Sequence, residues 1–153
     1  MEQNAATIVK GKAIELSTFY VGKVQFGIDI IKIQEINKQM TMTTVPQAPE
    51  YVLGILNLRG RIVTIIDLAK KLGLSSAGHT VDSRIIIVDS KGEHIGLLVD
   101  RIGDVELAKT DEIEPPPANI GGILGSFFEG VFKTKDKLIS VLDLEEVFKE
   151  QSQ

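Results

Sequence analysis

The chain has 153 residues, of which 43% are hydrophobic and 25% charged, with a net charge of -4 and no cysteine. That length holds one domain or two small lobes and buries enough surface to fold without staples. The acidic balance argues against a nucleic-acid partner, which selects a basic face, and a chain without cysteine fits a reducing compartment such as the cytoplasm. Met1 to Lys10 is polar apart from Ile8 and Val9, so no signal peptide is read there. The longest apolar runs, such as Ile85 to Val88, fall far short of the roughly 20 residues of a membrane helix, and no direct membrane insertion is expected. The start at Met1 and the polar end Gln151-Ser152-Gln153 are what a complete chain would have.

Along the chain the signals are mostly strand signals. Leu16 to Tyr20 and Val24 to Ile28 flank Val21-Gly22-Lys23 as a hairpin. From Ile28 to Asn37 the apolar spacing is mixed, which leaves room for a short turn of helix. Pro46 and Pro49 mark a rigid extended loop, and Gly54 and Gly60 read as backbone devices for bends or positive φ. Asp67 to Gly73 has a capping Asp and a terminating Gly, the pattern of a short helix. Arg84 to Val88 and His94 to Leu98 flank a second turn, Asp89 to Gly92. Pro115 to Pro117 mark another stiff loop, and Asp143 to Lys149 reads as a terminal helix capped by Asp143. Many short, closely spaced strands point to small barrels rather than to a parallel sheet.

The chain also repeats itself. Counted from Gly27 and from Gly96, apolar residues match at the first step (Ile28, Leu97), third (Ile30, Val99), sixth (Ile33, Ile102) and ninth (Ile36, Val105). An acid matches at the eighth (Glu35, Asp104), and a proline follows at the nineteenth (Pro46, Pro115). Arg61 to Leu68 parallels Lys137 to Leu144. Gly27 to Asp67 is 40 positions and Gly96 to Asp143 is 47, so the second half carries about seven extra residues, placed in the Gly-rich stretch from Asn119 to Gly130. The reading is a single domain, 1–153, of mainly β structure: two similar small β-barrels side by side, with short helices including a C-terminal one. The first lobe spans about residues 14–78 and the second about 79–153.

Catalysis finds little support. There is no Cys, and His79 and His94 stand in no catalytic or metal-ligand spacing. Asp67, Asp100 and Asp143 occupy structural positions. Gly121-Gly122 with Gly125-Ser126 lacks the Lys of a phosphate loop and reads as a flexible turn. No catalytic residue, metal site or cofactor is expected.

Val52-Leu53-Gly54-Ile55-Leu56-Asn57-Leu58-Arg59-Gly60-Arg61-Ile62-Val63-Thr64-Ile65-Ile66-Asp67-Leu68 resembles the central signature of the CheW family. Phe26 to Ile30 and Ile33 to Ile36 are similar to its first-lobe motif, and Gly96 to Asp100, Ile113 to Pro117 and Leu138 to Leu144 to its second-lobe pattern. The resemblance runs from about Leu16 to Phe148. It implies two five-stranded SH3-like barrels and a non-enzymatic scaffold, cytoplasmic and recruited to membrane receptor arrays. It implies two partners: the regulatory domain of the histidine kinase CheA, and the cytoplasmic tip of a methyl-accepting chemoreceptor. A coupling module of another kinase pathway, such as twitching motility, is the alternative.

The family's receptor-contact region maps onto Ile33-Gln34-Glu35-Ile36. Glu35 has two readings, a solvated edge charge or a polar contact at a partner groove, and the resemblance favours the second. Ile30, Ile33 and Ile36 form a stripe that is either core or the wall of an apolar groove between the lobes, which would receive an amphipathic helix. Ile30, Ile33 and Val99 are assigned to that groove, with Glu35, Ile36 and Arg59 beside it, and Ile102 is left to the core. Arg59 is either a turn-flanking exposed Arg or a fixed guanidinium at the groove. The kinase-contact residues stay unassigned.

Overall fold

Tight turns organise the chain into hairpins. The computed structural model describes residues 11–38 and 41–149, so the polar N-terminal stretch and Gln151-Ser152-Gln153 lie outside the described residues. Strand β1 (Ala13–Val21) pairs antiparallel with β2 (Val24–Asp29). Strands β4 (Val52–Leu58) and β5 (Arg61–Asp67) are joined by Arg59 and Gly60, at φ 53° and 82°. Strands β6 (Arg84–Ser90) and β7 (Glu93–Val99) are joined by Lys91 and Gly92, at φ 51° and 84°. Two central residues at positive φ match the twist of flanking strands, which is why Gly stands second in both turns.

The remaining strands are β3 (Ile33–Asn37), β8 (Arg101–Lys109), β9 (Ile113–Glu114), β10 (Asn119–Ile120), β11 (Ile123–Leu124), β12 (Phe128–Lys133) and β13 (Leu138–Leu142). Helix α1 (Leu68–Lys71) is capped by Asp67, whose carboxylate accepts from the Lys70 amide at 3.3 Å. Helix α2 (Leu144–Phe148) is capped by Asp143 in the same way, from Glu146 at 3.2 Å.

A five-stranded sheet runs β3-β6-β7-β5-β4, and a six-stranded one runs β8-β1-β2-β13-β12-β9. Each curls around a small core of its own, giving two SH3-like barrels. Leu56, Val63, Ile65 and Ile85 lead the core of the five-stranded lobe, and Phe132, Ile139, Val141 and Leu16 that of the six-stranded lobe.

The lobes are not the two sequence halves. Among the described strands, the five-stranded lobe is built from the span 33–99, and the six-stranded lobe from what precedes and follows it. The boundary near residue 78 is therefore corrected: each half gives its first hairpin to one lobe and its later strands to the other. The physical reason is the corner after β2 and after β7, where the next strand crosses to the opposite sheet instead of folding back. β3 leaves β2 and pairs with β6; β8 leaves β7 and pairs with β1.

Register shows how closely the halves match. Gly27 lies beside Val141 in the parallel pair β2-β13, and Gly96 lies beside Ile65 in the parallel pair β7-β5. Val141 and Ile65 are themselves repeat mates. Ile33 opposes Val88 as Ile102 opposes Phe19, and Asn37 opposes Ile85 as Glu106 opposes Leu16, with a bulge between the two points in both lobes. A Cβ on Gly96 would stand 2.6 Å from Ile85 and 2.8 Å from Ile65, and one on Gly27 would stand 2.9 Å from Ile139. Both glycines are required by the close approach of side chains across the sheet.

A third apolar cluster joins the lobes. Among the described residues it holds nineteen buried side chains, against six and five for the separate barrel cores, so each lobe is stabilised largely by the other. Phe19, Phe26, Ile28 and Phe128 come from one sheet and Ile66, Ile86, Leu97 and Val99 from the other, with Leu68 and Val147 from the helices. The β10-β11 hairpin, within the longer second half, adds Ile120 and Ile123. Burying each such side chain is worth about 1.5–3 kcal/mol.

This pairing predicts that neither half folds alone. A fragment 14–78 holds β1 and β2 without β8 and β13, and β3, β4 and β5 without β6 and β7. Expressed separately, 14–78 and 79–153 are expected to lack a cooperative melt by circular dichroism, and mixing them should restore one. A native-like melt from either fragment by itself would contradict the crossed pairing.

Candidate functional site

The corner between β2 and β3 places the residues singled out by the sequence. Asp29 accepts a hydrogen bond from the Ile31 amide at 3.2 Å and so caps a single 3-10 turn, Ile30–Lys32. The turn leaves Ile30 37% exposed and Ile31 80% exposed. In β3 a bulge at Gln34 puts Ile33 opposite Val88, Glu35 opposite Ile87 and Ile36 opposite Ile86. Opposed residues share a face. Val88 and Ile86 belong to the cluster between the lobes, and Ile87 to the core of the five-stranded barrel. Ile33 and Ile36 therefore face the seam, and Glu35 faces the mouth of the barrel. Ile33 is half-buried against the seam and Ile36 is exposed at its rim.

Val99 is a correction. Its repeat mate Ile30 is exposed, but Val99 has no accessible surface and belongs to the shared cluster. The cause is local: Ile30 opens a 3-10 turn, whereas Val99 stays inside β7. It forms no part of a groove wall.

Arg59 sits in the β4-β5 turn, and its Nη2 donates to Glu35 Oε1. Asn37 Nδ2 donates to the other carboxylate oxygen at 3.2 Å. The Asn37 hydrogen bond, with the bond and charge of Arg59, holds the Glu35 carboxyl below the ordinary carboxylate value, against an opposing effect of burial. Beside the pair lies a hollow of about 270 Å³, lined by Gln34, Glu35, Arg59, Arg61, Ile87 and His94 among others. Arg61 Nη1 lies 2.5 Å from His94 Nε2 and 3.4 Å from His94 Nδ1.

Gly54 and Gly60 serve the scaffold. A Cβ on Gly54 would fall 2.5 Å from the Thr43 carbonyl oxygen, where the chain bridges to Ile55, and its repeat mate Gly130 meets the Glu114 carbonyl oxygen at 2.4 Å. The Gly60 amide donates to Asn57 Oδ1 at 3.1 Å within the turn that carries Arg59. The structure thus brings Ile30, Ile33, Glu35, Ile36 and Arg59 together around the β2-β3 corner, with Ile33 and Ile36 on the seam face and Glu35 with Arg59 on the barrel-mouth face, while Val99 is buried inside the seam. It adds Asn37, Arg61, His94 and the exposed Ile31, which sequence reasoning passed over. Their one signal was position: Asn37 and His94 stand at repeat steps where the other half has Glu106 and Gln25. Among the described residues no group of three or more His, Cys, Asp and Glu could hold a metal ion.

Residues 15–152 match the model of the CheW-like domain. The chain belongs to the CheW family. It is 35% identical to the chemotaxis protein CheW of Rhizobium meliloti, over 95% of this chain and 94% of that one. It is 31% identical to the chemotaxis protein CheW of Helicobacter pylori, over 90% and 83%. The crystal structure of the scaffolding protein TtCheW from Thermoanaerobacter tengcongensis superposes with a TM-score of 0.83 at 37% identity, covering 92% of this chain and 90% of that one. As a CheW-family member the protein is a chemotaxis scaffold and not an enzyme.

The Glu35 contacts make a pH prediction. The folded carboxyl lies below its unfolded value, so its contribution is present above the unfolded value and is lost as pH falls through the folded one. Glu35→Gln is expected to lose about 0.2–1 kcal/mol at pH 7, the range of exposed ion pairs. The gap between wild type and variant in urea unfolding should close progressively below pH 4.5, the ordinary value for the group. A gap that widens on acidification would contradict the assignment.

Proposed function

We propose that this CheW-family scaffold couples the cytoplasmic tip of a methyl-accepting chemoreceptor to the histidine kinase CheA. The tip docks along the seam at the β2-β3 corner, against Ile30, Ile36 and the exposed edge of Ile33, with Glu35 and Arg59 as the polar border. The observation that carries this reading is the exposure of Ile30, Ile31 and Ile36 at one corner, next to a charge pair held by a rigid turn. Apolar side chains a few positions apart beside a charged rim suit the face of an amphipathic helix. The chemotaxis names of the relatives favour this pathway over another kinase pathway.

The kinase's regulatory domain is assigned to a barrel end of the six-stranded lobe, where Leu138 is 45% exposed. Two partners on separate surfaces let one small protein hold both at once. The protein works on the cytoplasmic side of the membrane, drawn there by the receptor. Among the described residues no helix is long and apolar enough to cross a membrane.

Ile36→Asp and Glu35→Lys test the receptor surface, and Leu138→Glu tests the kinase surface. Ile36→Asp and Leu138→Glu are expected to keep the native melt because these side chains are exposed, and Glu35→Lys to stay folded with a small loss of stability because it gives up the Arg59 and Asn37 contacts. The first two should weaken binding of a receptor cytoplasmic fragment by about tenfold, equal to about 1.4 kcal/mol, and leave kinase binding intact. Leu138→Glu should do the reverse. Ile33→Asp is expected to lower stability as well, since Ile33 packs on the shared cluster. Folded Ile36→Asp and Glu35→Lys proteins that both bind the receptor fragment normally would place its site elsewhere.

A further inference from the structure

The repeat allows the polar mouths of the two barrels to be compared position by position. Arg61 stands where the other lobe has Lys137, Asn37 where it has Glu106, and His94 where it has Gln25. In the six-stranded lobe the cation has its acid: Lys137 Nζ lies 3.1 Å from Glu106, with the two side chains 33% and 23% exposed. Lys137 is correspondingly held above the ordinary lysine value by the Glu106 hydrogen bond and charge.

In the five-stranded lobe that acid is missing, because its position is Asn37. The nearby carboxylate, Glu35, is engaged by Arg59 and Asn37. Glu93 flanks Arg61 and His94 on the outer side but makes no ion pair with Arg61 among the described residues. Arg61 instead turns its guanidinium to the His94 ring, with Nη1 2.5 Å from Nε2. A guanidinium presents a fork of donors shaped for the two oxygens of a carboxylate, and a single ring nitrogen meets only one of them. The hollow of about 270 Å³ at this spot opens beside the Glu35–Arg59 pair.

We propose that Arg61, resting against the His94 ring, is a socket for a carboxylate side chain carried by the receptor tip. The incoming Asp or Glu supplies from outside the acid that Glu106 supplies from within the other lobe. This rests on the receptor reading above and adds to it the chemistry of the partner's contact residue. Arg61 is then a specificity determinant: it rewards an acid at one place on the docking helix and repels a base there.

The test measures calorimetric binding of Arg61→Glu to a receptor cytoplasmic fragment and to the kinase regulatory domain, with Ile36→Asp and Glu35→Lys alongside. Arg61→Glu should keep the native melt and kinase binding and lose receptor affinity by about tenfold or more, as expected for reversing one member of a charge pair. One Asp→Lys or Glu→Lys change at the receptor tip should restore binding to Arg61→Glu and weaken binding to wild type. If Arg61→Glu does not fold, Arg61→Gln takes its place, with a smaller loss expected in the same direction. A folded Arg61 variant that binds the receptor fragment within about twofold of wild type would overturn the socket, provided Ile36→Asp and Glu35→Lys lose binding. If those two also bind normally, it is the receptor reading that has failed. Loss of kinase binding instead of receptor binding would overturn the socket as well.

Discussion

The apolar seam between the two sheets sets the terms for the rest of the molecule. A barrel of five short strands encloses few side chains, and the separate cores here are small beside the cluster that joins them. Small cores of this size supply little net stability once chain entropy is counted. The lobes therefore depend on their contact, and the crossing of β3 and β8 makes it topological as well as apolar: each lobe is closed by a strand delivered from the other half. Under the coupling role proposed above, a scaffold gains from this, because lobes tied by a shared core and crossed strands do not hinge freely.

Local chemistry was legible in the sequence; long-range pairing was not. The hairpins at Gly22 and at Lys91-Gly92 and the caps at Asp67 and Asp143 depend on residues a few positions apart, and the residue types there declare them. The repeat was visible because both halves place apolar residues on the same steps. Which sheet β3 would join was not visible, because a strand's partner is chosen by packing far along the chain. The mixed spacing from Ile28 to Asn37 had a concrete origin, a capped 3-10 turn followed by a bulge at Gln34. That bulge is why Ile33 and Ile36 share a face although they are three residues apart in a strand.

Val99 and Arg61 were missed for opposite reasons. Val99 was assigned by analogy with Ile30, and equivalence in a repeat fixes backbone register more firmly than surroundings. One residue opens a turn and the other stays in a strand, which is enough to bury one and expose the other. Arg61 carries no local signal beyond its place two residues after Arg59. Its significance appears only when Lys137 and Glu106 are seen paired across β13 and β8.

The duplication therefore supplies more than a fold. Where the lobes agree, as at Gly27 and Gly96 or at Asp67 and Asp143, the shared residue serves a geometry that both barrels need. Where they differ, one lobe has been released from that need. Ile30 departs from Val99 at the corner that leads into β3, and Asn37 from Glu106 and His94 from Gln25 around the Glu35 side chain and the hollow beside it. At the matching places β7 keeps Val99 buried inside the seam, and the six-stranded lobe pairs its cation with an acid. The corner after β2 instead leaves apolar surface, and the five-stranded lobe leaves a guanidinium that makes no ion pair among the described residues. Neither helps this chain to fold, and both are groups that a partner's helix can complete, one by covering apolar area and the other by bringing an acid.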